Sequence, residues 1–193
     1  MLGAENKRKI RRILPGDPEA KGSNIQRMIR VNHAGEYGAK RIYQGQIAVL
    51  GKTDSELAKT LQHMADQEQE HLEYFEKEIV KRKVRPTVLQ PLWHVAGYAL
   101  GMITAKMGVK AAMACTVAVE TVISDHYAEQ IAQLDQNDAE QDLKKNIAKF
   151  KAEEEEHHDI GIQHDAEQAR GYKILSTAIQ NGSKAAIWVA KRF

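Results

Sequence analysis

Two histidines of this 193-residue chain each follow a glutamate by three positions, and in each half another glutamate precedes that pair by 32 or 34 residues. Residues three apart share one face of a helix, so each pair presents a carboxylate and an imidazole together. Oxygen and imidazole ligands suit iron or manganese. The repeated pattern therefore predicts a site for paired metal ions. Its predicted ligands are Glu36, Glu68, His71, Glu120, Glu154 and His157.

Each predicted ligand lies in the apolar seam of an amphipathic helix. Glu68 and His71, for example, continue the line of Leu61, Met64 and Phe75, which has the spacing of one helix face. The other four interrupt similar apolar lines in their own helices. We therefore expect all six side chains to point into the core.

The acidic run 153–159 contains two possible pairs of this kind. Glu154 with His157 extends an apolar line through Phe150, whereas Glu155 with His158 extends a polar one. We therefore predict that Glu154 and His157 face inward. The neighbours assigned to solvated faces are Glu70, Glu73, Glu76, Glu153 and His158.

Four carboxylates buried together repel one another, so they must take up protons or bind cations. Two divalent ions would supply four balancing positive charges. A glutamate from each of two helices, with Glu-x-x-His from each of two others, is the known bundle arrangement for paired iron or manganese. A single Glu-x-x-His motif more often lies on a solvated helix face. Six inward-facing glutamates and histidines in a repeated order favour the metal site.

The elements that must position these residues are all helices. Apolar periodicity predicts helices over 25–50, about 53–83, 111–134, 139–170 and 174–192, with another in the uncharged run 86–105. Gly51 suits a helix end, and Thr53, Asp54 or Ser55 can cap the next helix. The predicted fold is all-α.

The length and composition fit a single domain whose net charge is too small to create a strong electrostatic field. Lys and Arg number 28 against 26 Asp and Glu, so the net charge of +2 does not favour nucleic acid as a partner. Cys115 is the only cysteine, which excludes an intramolecular disulfide. We predict a flexible basic segment over 1–24 and a single domain over 25–193. Acidic residues within that segment favour a solvated tail over an organelle transit peptide.

Residues 86–105 contain no formally charged side chain. A run of this length is long enough to cross a bilayer, but it contains Gln90, Pro91 and His94, and Lys106 follows at once. A helix in the membrane interface is favoured, ahead of a buried core helix and then of a spanning helix. The sequence leaves open whether 86–119 is interfacial or fully buried.

Five segments together resemble the 5-demethoxyubiquinone hydroxylase family, and the resemblance extends from about residue 25 to the C-terminus. They are Ile29-Arg-Val-Asn-His-Ala-Gly-Glu-Tyr-Gly-Ala, Asp66-Gln-Glu-Gln-Glu-His-Leu, Arg85-Pro-Thr-Val-Leu-Gln-Pro-Leu-Trp, Ala112-Met-Ala-Cys-Thr-Val-Ala-Val-Glu and Glu156-His-His-Asp-Ile-Gly.

The resemblance implies a ferritin-like four-helix bundle with two additional membrane-associated helices. It implies a di-iron monooxygenase with two iron ions per chain on the six residues above, acting on a prenylated quinone with dioxygen. The implied reductant is NADH, and no Gly-x-Gly-x-x-Gly motif predicts a dinucleotide domain in this chain. His126 and Tyr127 are implied as relay residues near the metals, against the alternative of a surface histidine and a packed tyrosine.

The resemblance implies a peripheral membrane protein. The lack of a convincing transit peptide favours the cytoplasmic face of a bacterial inner membrane, with the matrix face of the mitochondrial inner membrane as the alternative. A lipid-binding protein of the ubiquinone pathway and a homo-oligomer are further implied partners. Two rival functions are iron storage or ferroxidase activity, and a non-enzymatic adaptor that docks a lipid carrier. The apolar character of 88–119 disfavours a soluble cage. The length of the prenyl tail and the direct electron donor are left open.

Overall fold

The computed structural model describes residues 23–52, 55–135 and 138–192, and these residues form six α-helices and no strand. The helices are α1 Ser23–Leu50, α2 Ser55–Arg82, α3 Gln90–Lys106, α4 Val109–Leu134, α5 Gln141–Gln163 and α6 Tyr172–Ala190. The predicted all-α class is confirmed. The predicted segment 1–24 lies almost wholly outside the described residues, as do the predicted caps Thr53 and Asp54.

Four of the helices form the bundle. Helix α1 packs on α2, α4 packs on α5, and α2 meets α5, so the apolar seams of all four converge. One core cluster contains Tyr43, Leu61 and Met64, and a second contains Phe75 and Phe150. On α2 the predicted ligands fall between Met64 and Phe75, so apolar layers lie on both sides of them along the bundle.

The two remaining helices repeat one relationship, because α3 packs on α1 and α6 packs on α4. Helix α3 approaches α1 closely at two glycines. A Cβ atom at Gly101 would collide with the carbonyl oxygen of Ile42, and one at Gly97 would meet the carbonyl oxygen of Gly38. Small residues are required there because the two backbones nearly touch.

The helix predicted over 139–170 is too long, because α5 ends at Gln163. Asp165 adopts a left-handed conformation with φ of 60°, which stops the helix, and a short 3-10 turn covers Ala166–Gln168. Ala166 and Ala169 are buried against the core cluster of Tyr43. This inward turn directs α6 back along α4.

None of the helices in the described ranges is sufficiently long and apolar to cross a membrane. Helix α3, with 17 residues, buries Gly101 and Ala105 but leaves Leu92, Val95 and Ile103 more than half exposed. It is therefore a packed helix with an exposed apolar stripe, which combines features of the two alternatives favoured from the sequence.

Candidate metal centre

The structure brings the six predicted ligands together in the middle of the bundle. Each of them is at most 1% exposed. They form two overlapping groups of four, and within each group one ligand atom per residue lies within 4.8 Å of the others. One group contains Glu36, Glu68, His71 and Glu154, and the other contains Glu68, Glu120, Glu154 and His157. Glu68 and Glu154 belong to both groups, so they lie between two adjacent positions.

Both histidines present Nδ1 to the carboxylates. His71 Nδ1 lies 3.3 Å from Glu36 Oε2 and 3.2 Å from Glu154 Oε1. His157 Nδ1 lies 3.3 Å from Glu68 Oε1 and 3.2 Å from Glu154 Oε2. Each half of the centre therefore places one imidazole nitrogen close to two carboxylate oxygens.

The inward register at the acidic run is the one expected from the sequence. Glu154 and His157 have no exposed side-chain surface, whereas the side chains of Glu155 and His158 are 57% and 35% exposed. The burial difference separates the two possible pairs.

Among the residues that the structure describes, eight buried carboxylate and imidazole atoms of the centre find no hydrogen-bond partner. They are Glu36 Oε2, Glu120 Oε2, both carboxylate oxygens of Glu68 and of Glu154, and Nδ1 of His71 and of His157. Buried polar atoms are normally satisfied, so eight orphaned donors of this chemistry in one place fit metal coordination. Four atoms for each of two cations is the simplest division.

The charges of the centre lead to the same conclusion. Burial and the charge of Glu154 raise the pKa of Glu68 and of Glu120 well above the usual range. For His71, burial is outweighed by the nearby carboxylates of Glu154 and Glu36, which raise its pKa to about 12. The centre thus attracts positive charge, as protons or as metal ions.

Glu36 and Glu120 each belong to only one of the two groups, and each accepts a hydrogen bond from a tyrosine. The hydroxyl of Tyr43 donates to Glu120 Oε1 at 2.9 Å, and the hydroxyl of Tyr127 donates to Glu36 Oε1. Burial and the nearby carboxylates raise the pKa of both phenols well above 10, so both remain neutral donors. Tyr127 therefore touches the centre through Glu36.

The second ring nitrogen of each histidine also has a partner. His71 Nε2 lies 2.9 Å from Glu153 Oε2, and His157 Nε2 lies 2.9 Å from Gln67 Oε1. The assignment of Glu153 to a solvated face was wrong, because its side chain is only 19% exposed. The sequence analysis also missed Gln67. The available signal was that each residue immediately precedes the glutamate of a Glu-x-x-His pair.

Comparisons with known proteins identify the family. The model of the family described as "Ubiquinone biosynthesis protein COQ7" matches residues 23–190. The chain belongs to this family.

Curated relatives of the COQ7 family match over most of their length. The NADPH-dependent 3-demethoxyubiquinone 3-hydroxylase of Dictyostelium discoideum is 53% identical over 87% of this chain and 77% of its own. The 3-demethoxyubiquinol 3-hydroxylase of Rhodospirillum rubrum is 49% identical over 100% and 89%, respectively. The human NADPH-dependent 3-demethoxyubiquinone 3-hydroxylase is 52% identical over 87% and 77%. The resemblance found in the sequence motifs is confirmed.

The other implied relay residue of this COQ7-family chain is His126. Its recorded contacts within the described residues include none of the six candidate ligands. Its Nδ1 lies 3.8 Å from Glu129 Oε2, and its buried Nε2 has no partner within the described ranges. Burial, with a smaller contribution from Lys191, lowers its pKa to about 4. The ring is therefore neutral at physiological pH, and its relay role stays a prediction.

An apolar groove of about 510 Å³ lies against α1 and α4, the helices that carry Glu36 and Glu120. Helices α1, α3, α4 and α6 form its walls, which include Gly35 and Val119, the residues just before the ligands Glu36 and Glu120. Three glycines line it where a Cβ atom would meet nothing within 4 Å, namely Gly35, Gly38 and Gly182. The missing side chains keep this space open.

Proposed function

We propose that this COQ7-family protein hydroxylates the benzoquinone ring of a prenylated demethoxyubiquinone intermediate at two iron ions held by the six clustered residues. The observation that carries the proposal is that the two helices that carry Glu36 and Glu120 in the buried centre also line the apolar groove, at Gly35 and Val119. The family match and the hydroxylase names of the relatives support it. A polar ring and an apolar tail would then occupy adjacent spaces.

Iron would supply the activation of dioxygen, for which protein side chains have no equivalent. The chain supplies position and exclusion of water. Tyr43 and Tyr127 fix the carboxylates of Glu120 and Glu36 by hydrogen bonds. The apolar clusters on either side of the ligands keep bulk water from them. The groove buries tail methylenes at roughly 0.8 kcal/mol each, which lowers the cost of moving the substrate out of a lipid phase.

The overall reaction needs two electrons and two protons besides dioxygen, because one oxygen atom enters the ring and the other leaves as water. The sequence resemblance implied NADH as the source, whereas the Dictyostelium and human relatives are named NADPH-dependent. We propose a reduced nicotinamide as the donor. The described residues are helical throughout their regular elements and offer no strand-based dinucleotide fold, so electrons would arrive at the surface or through the quinone.

We propose that the protein lies on a membrane surface through the exposed apolar stripe of α3, Leu92, Val95 and Ile103, together with Trp188 of α6. Relatives include a bacterial protein and others named mitochondrial. The proposed location is accordingly the cytoplasmic face of a bacterial inner membrane or the matrix face of the mitochondrial one. A lipid-binding partner or a second copy of the chain would use the same face.

The test is turnover by purified, iron-loaded protein. A short-tailed demethoxyquinone with NADH or NADPH should give a product carrying one ¹⁸O atom from ¹⁸O₂, measured by mass spectrometry, with two iron ions per chain. The double variant Glu154→Ala, His157→Ala should lose both iron and product. The matched variant Glu155→Ala, His158→Ala should keep both, because those side chains are solvated. Iron oxidation without hydroxylated quinone would contradict the proposal and favour a ferroxidase.

A further inference from the structure

We infer that the two metal positions of this centre are unequal, and that Glu153 makes the position at His71 the one that binds the first ion. The inference rests on the proposed two-metal centre. Each Nδ1 atom lies 3.2–3.3 Å from two carboxylate oxygens, so neither histidine is closer to the inward carboxylates than the other. The difference lies behind the histidine rings.

The residue behind each ring occupies the same place in the repeat but differs in charge. His71 Nε2 donates to the carboxylate of Glu153, and His157 Nε2 donates to the amide oxygen of Gln67, both at 2.9 Å. In both rings this hydrogen bond places the proton on Nε2 and leaves Nδ1 free to bind a cation. The tautomer is therefore the same, and only the acceptor changes.

A carboxylate acceptor should strengthen the ligand more than an amide does. Charge-assisted hydrogen bonds are roughly twice as strong as neutral ones, and a carboxylate behind a histidine raises its basicity toward a metal. Loss of such a partner commonly lowers metal affinity by about 10-fold to 100-fold. The negative charge of Glu153 near the position at His71 also raises the affinity of that position for a cation.

The orientation of Glu153 is fixed from its other side. Lys149 Nζ lies 3.3 Å from Glu153 Oε1, which leaves Oε2 directed at His71. The positive charge of Lys149 opposes the effect of Glu153 on a cation, but its side chain is 54% exposed and is screened by solvent. The contact between Glu153 and His71 is screened less, because the His71 side chain is fully buried. The carboxylate of Glu153 therefore affects the cation more than Lys149 does.

Co²⁺ is a suitable probe because it binds nitrogen and oxygen donors and is stable in air. Mutual repulsion of two ions separates the stepwise affinities even in a symmetric centre, so the decisive measurement is where the first ion binds. With ¹⁵N-histidine protein and one equivalent of Co²⁺, paramagnetic NMR should show the contact shift of a coordinated ring for His71 and only a through-space shift for His157. A His157→Gln variant, which should retain those signals, provides the assignment.

Two isosteric substitutions test the cause. Glu153→Gln should weaken binding of the first Co²⁺ by at least tenfold in chelator competition and distribute it over both histidines. The exchanged variant Glu153→Gln, Gln67→Glu should move the first ion to His157, which a merely structural role would not produce. Circular dichroism checks that each variant is folded.

Three results would overturn the inference: the first ion at His157 in the unmodified protein, equal occupancy of both positions, or occupancy unchanged by Glu153→Gln. Each of these leaves the two-metal centre intact, because two ions still bind. Failure of the unmodified chain to bind Co²⁺ at all would overturn the centre as well, so the two failures are distinguishable.

Discussion

Tyr43 and Tyr127 each lie seven residues after a ligand glutamate, and each donates its hydroxyl hydrogen bond to the glutamate of the other helix. Tyr43 follows Glu36 on α1 but binds Glu120 on α4, and Tyr127 follows Glu120 but binds Glu36. Seven residues are close to two helical turns, so each tyrosine lies on the ligand-bearing face of its helix. The crossed pair joins α1 to α4 through the centre.

Removing one of these hydroxyls should loosen the centre without dismantling it. Tyr43→Phe should lower the stability of the metal-free protein by about 1–3 kcal/mol, because Glu120 loses a buried donor. For a chain of this size that corresponds to a Tm lower by roughly 3–10 °C, measured by calorimetry. Tyr127→Phe should behave similarly, and Tyr172→Phe at the start of α6 should change little. Equal shifts in all three variants would contradict the crossed arrangement.

Metal binding should release protons and strengthen as pH rises. The pKa of His71 is raised to about 12, so it holds a proton in the metal-free protein near pH 7, and burial and the charge of Glu154 raise the pKa values of Glu68 and Glu120 in the same direction. Ligands must lose those protons to bind a cation. The logarithm of the Co²⁺ association constant should therefore rise by about one or more per pH unit between pH 6 and 8.

Calorimetry in buffers of different ionisation enthalpy measures the same protons directly, as the number released per Co²⁺ bound. Affinity that stays constant from pH 6 to 8, with no proton release, would show that the ligands are already deprotonated.

Filling the groove should discriminate between substrates by tail length. Gly182 lines the groove, and a Cβ atom there meets no described atom within 4 Å, so Gly182→Leu adds bulk to the groove from a position where a side chain can begin. We expect KM to rise about tenfold for a long-tailed quinone, with unchanged turnover of a short-tailed analogue and full iron content. Lys184→Leu on the exposed side of α6 is the matched control. Equal losses on both quinones would argue against tail binding in this groove.

The exposed stripe of α3 should govern membrane binding. Val95→Glu with Ile103→Glu should weaken binding to anionic vesicles by at least tenfold, since burying each of these side chains stabilises the bound state by about 1.5 kcal/mol or more. Val80→Glu on α2 is the control, because Val80 is equally apolar and 78% exposed but lies on another helix. Co-sedimentation would give both affinities. Similar weakening by the control would show a nonspecific charge effect.

The inward positions of the six candidate ligands were predictable because helical periodicity is a local property. Glu154 and His157 could be separated from Glu155 and His158 by register alone, since one pair continues an apolar line. The roles of Gln67 and Glu153 were not predictable in this way. Each lies beside the apolar face of its own helix and meets a histidine only because α2 and α5 pack together.

The end of α5 illustrates a second limit. Apolar and charged residues continue at helical spacing past Gln163, so the pattern alone extends the helix to Arg170. The left-handed conformation of Asp165 ends the helix, and the burial of Ala166 and Ala169 against the bundle stabilises the turn that follows. Similarly, the groove depends on how α3 and α6 cross the bundle, which no single helix specifies.

The repeated order of three helices, with α3 on α1 and α6 on α4, has an evolutionary consequence. Two copies of an ancestral three-helix chain, related by a twofold axis, would build the same cage of four glutamates and two histidines. Because the two subunits of such a dimer have the same sequence, the residues behind both imidazoles would be identical. Fusion of the two copies into one gene removes that constraint, and the amide at position 67 opposite the carboxylate at position 153 is the kind of divergence it allows.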